Sequence, residues 1–242
     1  SRDDSLYLVQ RAALEAWRLG PNAPISSLLG LVRAPKDDTR YSAVYSLARL
    51  RVKAAGPQLV DAAGDRAPIV RAAAVRALTR AYADSARLDP AAIGELLVHG
   101  SNDADAGVRV QSLRSLSTYH EPAFARKIVP LLDDPVPAIQ VQAASTLGDL
   151  GGTAAVPDLL QIAGGTKGSF AIRREALLSL ARLDTTAFAG LVGRWSAGAD
   201  WRERAVAAEG WAIANPSAVP PFLKDTDSRV AAAALQGWGE RV

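Results

Sequence analysis

Few residues in this chain have the types and spacing to do chemistry. His99 and His120 are its only histidines, and His120-Glu121 makes a single His-Glu pair. A protein metal site needs three or four ligands, so one pair falls short, and both histidines read as surface or helix-end residues. Cysteine is absent, which removes disulfides, thiolate metal ligands and cysteine nucleophiles together. Gly164-Gly165-Thr166-Lys167-Gly168 has the ingredients of a phosphate-cradling loop. The full spacing of that motif is missing and no strand pattern precedes it, so the stretch is expected to be a loop between helices. No Ser-His-acid set and no carboxylate pair stand at catalytic spacing. The expectation is a chain with no catalytic residues, no bound metal and no cofactor.

What does recur is charge at fixed intervals along helices. In Asp65-Arg66-Ala67-Pro68-Ile69-Val70-Arg71-Ala72-Ala73-Ala74-Val75-Arg76-Ala77-Leu78, Asp65 precedes a helix and can accept from its free N–H groups. Pro68 occupies the first turn, where its missing N–H costs nothing. Val70, Ala74, Val75, Ala77 and Leu78 then recur at the spacing of one helical face. Taking Arg71 as an anchor, equivalent positions fall at Gln10, Arg40, Arg109, Gln140, Arg173, Arg204 and Ala231. Seven residues after the anchors stand Trp17, Leu47, Leu78, Leu116, Leu147, Leu180, Trp211 and Trp238. The anchors are 30, 31, 38, 31, 33, 31 and 27 residues apart, and a period near thirty over a whole chain is the mark of a helical solenoid.

The elements follow from this register. Second helices carry the anchors, the earliest of them over 6–19 and the next over 39–50. First helices are expected over 25–32, 56–63, 90–99, 122–132, 154–163, 185–195 and 218–223. Between Leu78 and Arg109 the repeat is longer, which reads as an extended helix and loop through Tyr82–Asp89. No alternating apolar run is long enough for a strand.

Composition sets wide bounds. Alanine supplies much of the 49% apolar share, favouring helices that approach closely. The formal charge is +3, and residues 1–121 hold the whole excess, with 16 basic and 13 acidic side chains. That is a weak nucleic-acid signal. No run of eighteen apolar residues is present to span a membrane, and a cysteine-free chain suits either side of one, so the compartment stays open. Methionine is absent even at position 1, and the chain is expected to be a piece of a longer protein.

On Asp65-x-x-x-Ile69-Val70-Arg71-x-x-Ala74-x-x-Ala77-Leu78, on Asp105-Ala106-Gly107-Val108-Arg109 with Leu113 and Leu116, and on Leu147-Gly148-Asp149-Leu150-Gly151 leading to Ala155-Val156-Pro157-Asp158-Leu159-Leu160, the chain resembles the HEAT-repeat superfamily in its short bacterial form. The resemblance implies an all-α, right-handed α-solenoid of about seven and a half HEAT-type helix pairs, one domain over 1–242. It implies a ladder in which Asp and Arg of adjacent repeats pair, a structural role that Gln140 and Ala231 interrupt. It implies that second helices line a concave face, where positions one, five and nine after each anchor look outward. On the N-terminal half these bring Tyr41, Tyr45 and Arg49, then Arg76 and Arg80, then Arg114. Such a patch suits an acidic protein or peptide partner. Trp195 and Trp201, at a first-helix end and just before a second helix, are expected as partly exposed anchors. Trp17, Trp211 and Trp238 are expected as packing residues.

The function implied is a non-catalytic protein-binding scaffold. The stretch from Ala199 to Glu240, with Asp200-Trp201-Arg202-Glu203-Arg204 and Gln236-Gly237-Trp238-Gly239, is also similar to bacterial HEAT regions that precede a cyclophilin-type prolyl isomerase domain. That would make this chain the arm of a larger enzyme. A HEAT-like DNA-repair protein is a third reading, although the catalytic positions of that group find no match here.

Overall fold

The structure, a computed structural model, describes residues 2–165 and 168–239, and every regular element in it is helical. The chain packs as two compact units, Ser1–Tyr119 and His120–Val242.

The first unit contains α1 (Arg2–Glu15), α2 (Ile25–Leu31), α3 (Asp37–Arg49), α4 (Gly56–Ala62), α5 (Pro68–Ala77), α6 (Arg80–Ser85), α7 (Pro90–Gly100) and α8 (Ala106–Leu116). Helices α1, α3, α5 and α8 stack in sequence, and α2, α4 and α7 each lie against the second helix that follows. The second unit contains α9 (Ala125–Ile128), α10 (Pro137–Leu150), α11 (Val156–Gly164), α12 (Phe170–Leu183), α13 (Thr185–Ser196), α14 (Trp201–Ala214) and α15 (Ser228–Gly239). Here α10, α12, α14 and α15 stack in the same way. No helix among the described residues is long and apolar enough to cross a membrane.

The seventh-residue leucines make the core. Leu47, Leu78 and Leu116 of the first unit and Leu147 and Leu180 of the second have no accessible surface. Burying each is worth about 1.5–3 kcal/mol. Just before the anchors, Val70, Val108, Ile139, Ile172 and Val230 are buried too. Gly210 lets α14 close onto α13: a Cβ there would lie 2.6 Å from the Phe188 ring, which meets Trp211 edge-on at 5.1 Å.

Prolines and caps redraw four expected elements. Helix α1 stops at Glu15, and Ala16–Asn22 continues as tighter 3-10 turns kinked at Gly20, whose φ is +54°. The expected helix over 122–132 is broken into Pro122–Phe124, α9 and Val129–Asp133, because Pro130 has no N–H to continue the ladder. The expected helix over 218–223 is a pair of 3-10 turns around Pro216, Pro220 and Pro221, for the same reason. The long repeat does not extend a helix. Helix α5 ends at Ala77, and the Thr79 hydroxyl accepts from the Tyr82 N–H to start α6 as a separate helix. In the glycine-rich stretch α11 ends at Gly164, while Thr166 and Lys167 lie outside the described residues.

A second register line, not anticipated, ties the repeats together. Six residues after the anchors Arg40, Arg109 and Arg173 stand Ser46, Ser115 and Ser179, all buried. Each hydroxyl donates to a backbone carbonyl of the preceding second helix: Ser46 to Ala13, Ser115 to Arg76 at 3.3 Å and Ser179 to Ala144 at 2.8 Å. An isolated serine at an inward position looks like a packing defect. Its signal lies in the repetition.

Candidate functional site

The charged constellation that recurs along the sequence forms the expected ladder. Arg71 donates from Nε and Nη2 to both oxygens of Asp103 at 2.8 and 2.7 Å, and from Nη1 to the carbonyls of Asp65 and Arg66. Asp103 in turn accepts from the Asp105 N–H, closing its own turn. Arg204 and Asp225 repeat this geometry in the second unit, with Arg204 also holding the carbonyls of Gly198 and Ala199. Gln140 retains part of it, donating to the Asp134 carbonyl at 2.8 Å. The Arg71 guanidinium holds the Asp103 carboxyl below its usual range, as Arg204 does Asp225. Arg71 and Arg204 spend their donors on internal carboxylates and carbonyls, so the ladder braces the fold; at the same register in α12 the Arg173 Nε is buried without a hydrogen bond among the described residues.

A groove on the first unit is differently constituted. It encloses about 760 Å³ and is walled by Trp17, Tyr41, Tyr45, Arg49, Arg76 and Tyr82, among others. Tyr41, Tyr45 and Arg49 project from α3 at spacings of four, which places them on one face. The tyrosine rings lie 5.9 Å apart, and the Arg49 guanidinium sits 4.3 Å from the centre of the Trp17 ring. Arg76 and the short Ala72, Ala73 and Ala77 come from α5, so the far wall is low and the space between the helices stays open. Tyr82 closes one end, its hydroxyl donating to the Val52 carbonyl at 2.7 Å, and burial pushes that phenol up to about 12. It therefore stays protonated and structural at neutral pH. Among the described residues no Asp, Glu or His lines the groove. Its chemistry is that of cations and aromatic faces, suited to binding anions and flat or apolar groups.

The structure brings together four of the eight residues expected at a partner surface: Tyr41, Tyr45, Arg49 and Arg76. Arg80 is displaced from them, because the chain breaks at Leu78 and restarts as α6, where Arg80 pairs with Asp84 at 3.0 Å. Arg114 is exposed on α8, and the groove takes Gln111 from that helix instead. The expectation of an exposed Trp195 is corrected. The residue is 4% exposed, and its indole N–H donates to the Ala163 carbonyl, since the last turn of α13 faces inward onto α11. Trp201 keeps some exposure at the start of α14, but Arg229 covers its ring at 3.7 Å. Trp17, expected in the core, is half-buried in the groove instead, because α1 ends two residues before it and the helical register is lost. The side chain of Trp238 lies outside the described residues. Arg51, Lys53 and Ile69 also line the groove and were not anticipated, since they stand in turns or one place off the helical face.

Among the described residues no three His, Asp or Glu side chains are grouped to hold a metal ion. The family model for HEAT repeats matches residues 25–117 and 125–212. No curated protein sequence matches the chain. Among solved structures it is similar to the complex of CpcE and CpcF of phycocyanin lyase from Nostoc sp. PCC7120, at 21% identity and TM-score 0.60 over 92% of this chain and 90% of that one. It is also similar to YibA of E. coli, at 17% identity and TM-score 0.55 over 99% and 86% of the two chains. An engineered protein matches at 18% identity and TM-score 0.53, covering 89% of this chain and 95% of that one. At these identities the likeness is one of fold.

Proposed function

Because the chain belongs to the HEAT-repeat family, we propose that it is a protein-binding scaffold without chemistry of its own, and that its partner docks in the groove of the first unit. Residues 1–242 serve as one repeat domain in this role. The observation that carries the reading is the contrast between two sets of arginines. Those of the ladder are consumed by internal carboxylates and carbonyls, while Arg49 and Arg76 open onto a groove walled by aromatic rings. Tyrosine, tryptophan and arginine are the residue types enriched at binding hot spots. The similarity to a structure of two proteins in complex, CpcE and CpcF, agrees with this role.

A photo-crosslinking amino acid at Tyr45, compared with one at exposed Ala92, tests the reading in lysate of the source cells. The expected result is a discrete protein adduct at Tyr45 that excess unlabelled chain competes away, with none at Ala92. No adduct at Tyr45, or the same adducts at both positions, would overturn it.

A further inference from the structure

Resting on the reading of this groove as a docking site, we propose that its occupant is an acidic peptide segment carrying one large apolar side chain among its carboxylates. Charge complementarity is the first argument. Arg49, Arg51, Lys53 and Arg76 all line the groove, and among the described residues no carboxylate does. None of the four makes an ion pair among the described residues, whereas Arg40, Arg66, Arg71 and Arg80 of the same unit all do. Four cations sharing one concavity repel each other until an anion arrives.

Pre-organisation is the second argument. Arg49 lies over the face of Trp17, and a guanidinium stacked through its face keeps its N–H edge free. That edge forms paired hydrogen bonds with a carboxylate, and because stacking already holds the side chain, little further ordering is needed on binding.

The third argument concerns the apolar part. Ile69 is 49% exposed, and it lines the groove with Ala72, Ala73 and Ala77 and the two tyrosines, which makes one continuous apolar strip beside the cations. A ligand made only of charge would leave this surface wet. A phenylalanine- or leucine-sized side chain between carboxylates would cover it. Nucleic acid is the weaker fit: affinity for a phosphate backbone grows with contacts along an extended basic track, and these four cations share one pocket in a chain of formal charge +3.

Calorimetric titration of the full chain near physiological salt tests the proposal. The probes are a synthetic octapeptide of Asp and Glu around one Phe, the same peptide with Ala for Phe, the same peptide with Asn and Gln for the acids, and an oligothymidylate. The first peptide is expected to bind at least tenfold more tightly than the other three. Its affinity should fall at least tenfold in Arg49→Ala and in Arg76→Glu, with thermal melts confirming that each variant is folded. Filling the floor with Ala73→Leu should weaken the Phe peptide more than the Ala peptide. Equal binding of the Phe and Ala peptides, equal binding of the acidic and amide peptides, tighter binding of the oligonucleotide, or no peptide binding at all would each overturn it. A Tyr45 adduct without peptide affinity removes this proposal and leaves the docking site standing; loss of both removes both.

Discussion

Arg40 reaches Asp65 with two parallel hydrogen bonds, Nε to Oδ2 at 2.7 Å and Nη2 to Oδ1 at 2.8 Å, although the two residues are 25 apart in sequence. The guanidinium also donates to Asp37 and to the carbonyls of Ala34 and Pro35, so one side chain joins two consecutive inter-helix turns. Arg40 is 6% exposed, and the Asp65 side chain is 13% exposed. Removing one partner of a pair this dry strands the other. Arg40→Ala is therefore expected to cost about 3–5 kcal/mol, read as a lowered urea midpoint. Arg66→Ala, at an exposed pair with Asp37, should cost less than about 1 kcal/mol. Equal losses would show that burial of the ladder does not matter.

The ladder also fixes an acid limit. Arg40 lowers the Asp65 carboxyl, and Arg71 lowers Asp103. A group with a lowered folded pKa binds its proton more weakly folded than unfolded. Its stabilisation is then complete above the unfolded value near 3.8 and is lost as pH falls through the lower folded value. Melting temperature should hold steady from neutral down to about pH 5 and drop below pH 4. Asp103→Asn should melt lower at pH 7 and lose less on acidification. A variant with the same acid-induced drop as the parent would locate the titrating groups elsewhere.

The buried serines predict a smaller, repeated effect. Ser46→Ala removes a hydroxyl shared between the Ala13 and Leu14 carbonyls of the preceding second helix, and Ser179→Ala one that donates to the Ala144 carbonyl and accepts from Arg182. Each should cost about 1 kcal/mol in chemical unfolding, since the carbonyl is an orphaned acceptor only for its second lone pair. The double variant should be additive within about 0.5 kcal/mol because the sites share no partner. Ser26→Ala, on an exposed face of α2, serves as the control and should be neutral.

Gly210 makes a prediction of opposite character. Its missing Cβ is where the Phe188 ring sits, 2.6 Å from the ideal position. Gly210→Ala improves helix propensity yet should destabilise by about 1–3 kcal/mol through overpacking. The double change Gly210→Ala with Phe188→Leu should recover part of that loss, as measured by thermal melts.

The register of this chain was legible because it repeats. Leu47, Leu78, Leu116, Leu147 and Leu180 are buried as their spacing requires, and Arg40, Arg71 and Arg204 meet carboxylates of the following turn. Four of the eight residues expected at a partner surface share one groove for the same reason: Tyr41, Tyr45, Arg49 and Arg76 sit where an unbroken helix puts them. Arg80 failed because Thr79 caps a new helix, a local event that periodicity overlooks. Trp17 failed because its helix ends early, and Trp195 because exposure at a helix end depends on which neighbour packs there. Arg51 belongs to the turn after α3 and Lys53 opens the 3-10 helix Lys53–Ala55, where the α-helical period does not govern direction.

The Arg71–Asp103 pair spans the long repeat, the one with 38 residues between anchors, yet its bonds are as short as those of Arg40 and Asp65. All the additional length is absorbed by α6, between Leu78 and α7, leaving the turns that carry the ladder unchanged. The repeat thus has a seam and a free hem. Insertions at the hem alter what the surface offers without disturbing the stitching, and α6 shows the result: Tyr82 and Ser85, on the inserted helix, border the groove. New binding character can enter this architecture by lengthening one edge while the other keeps the repeats in register.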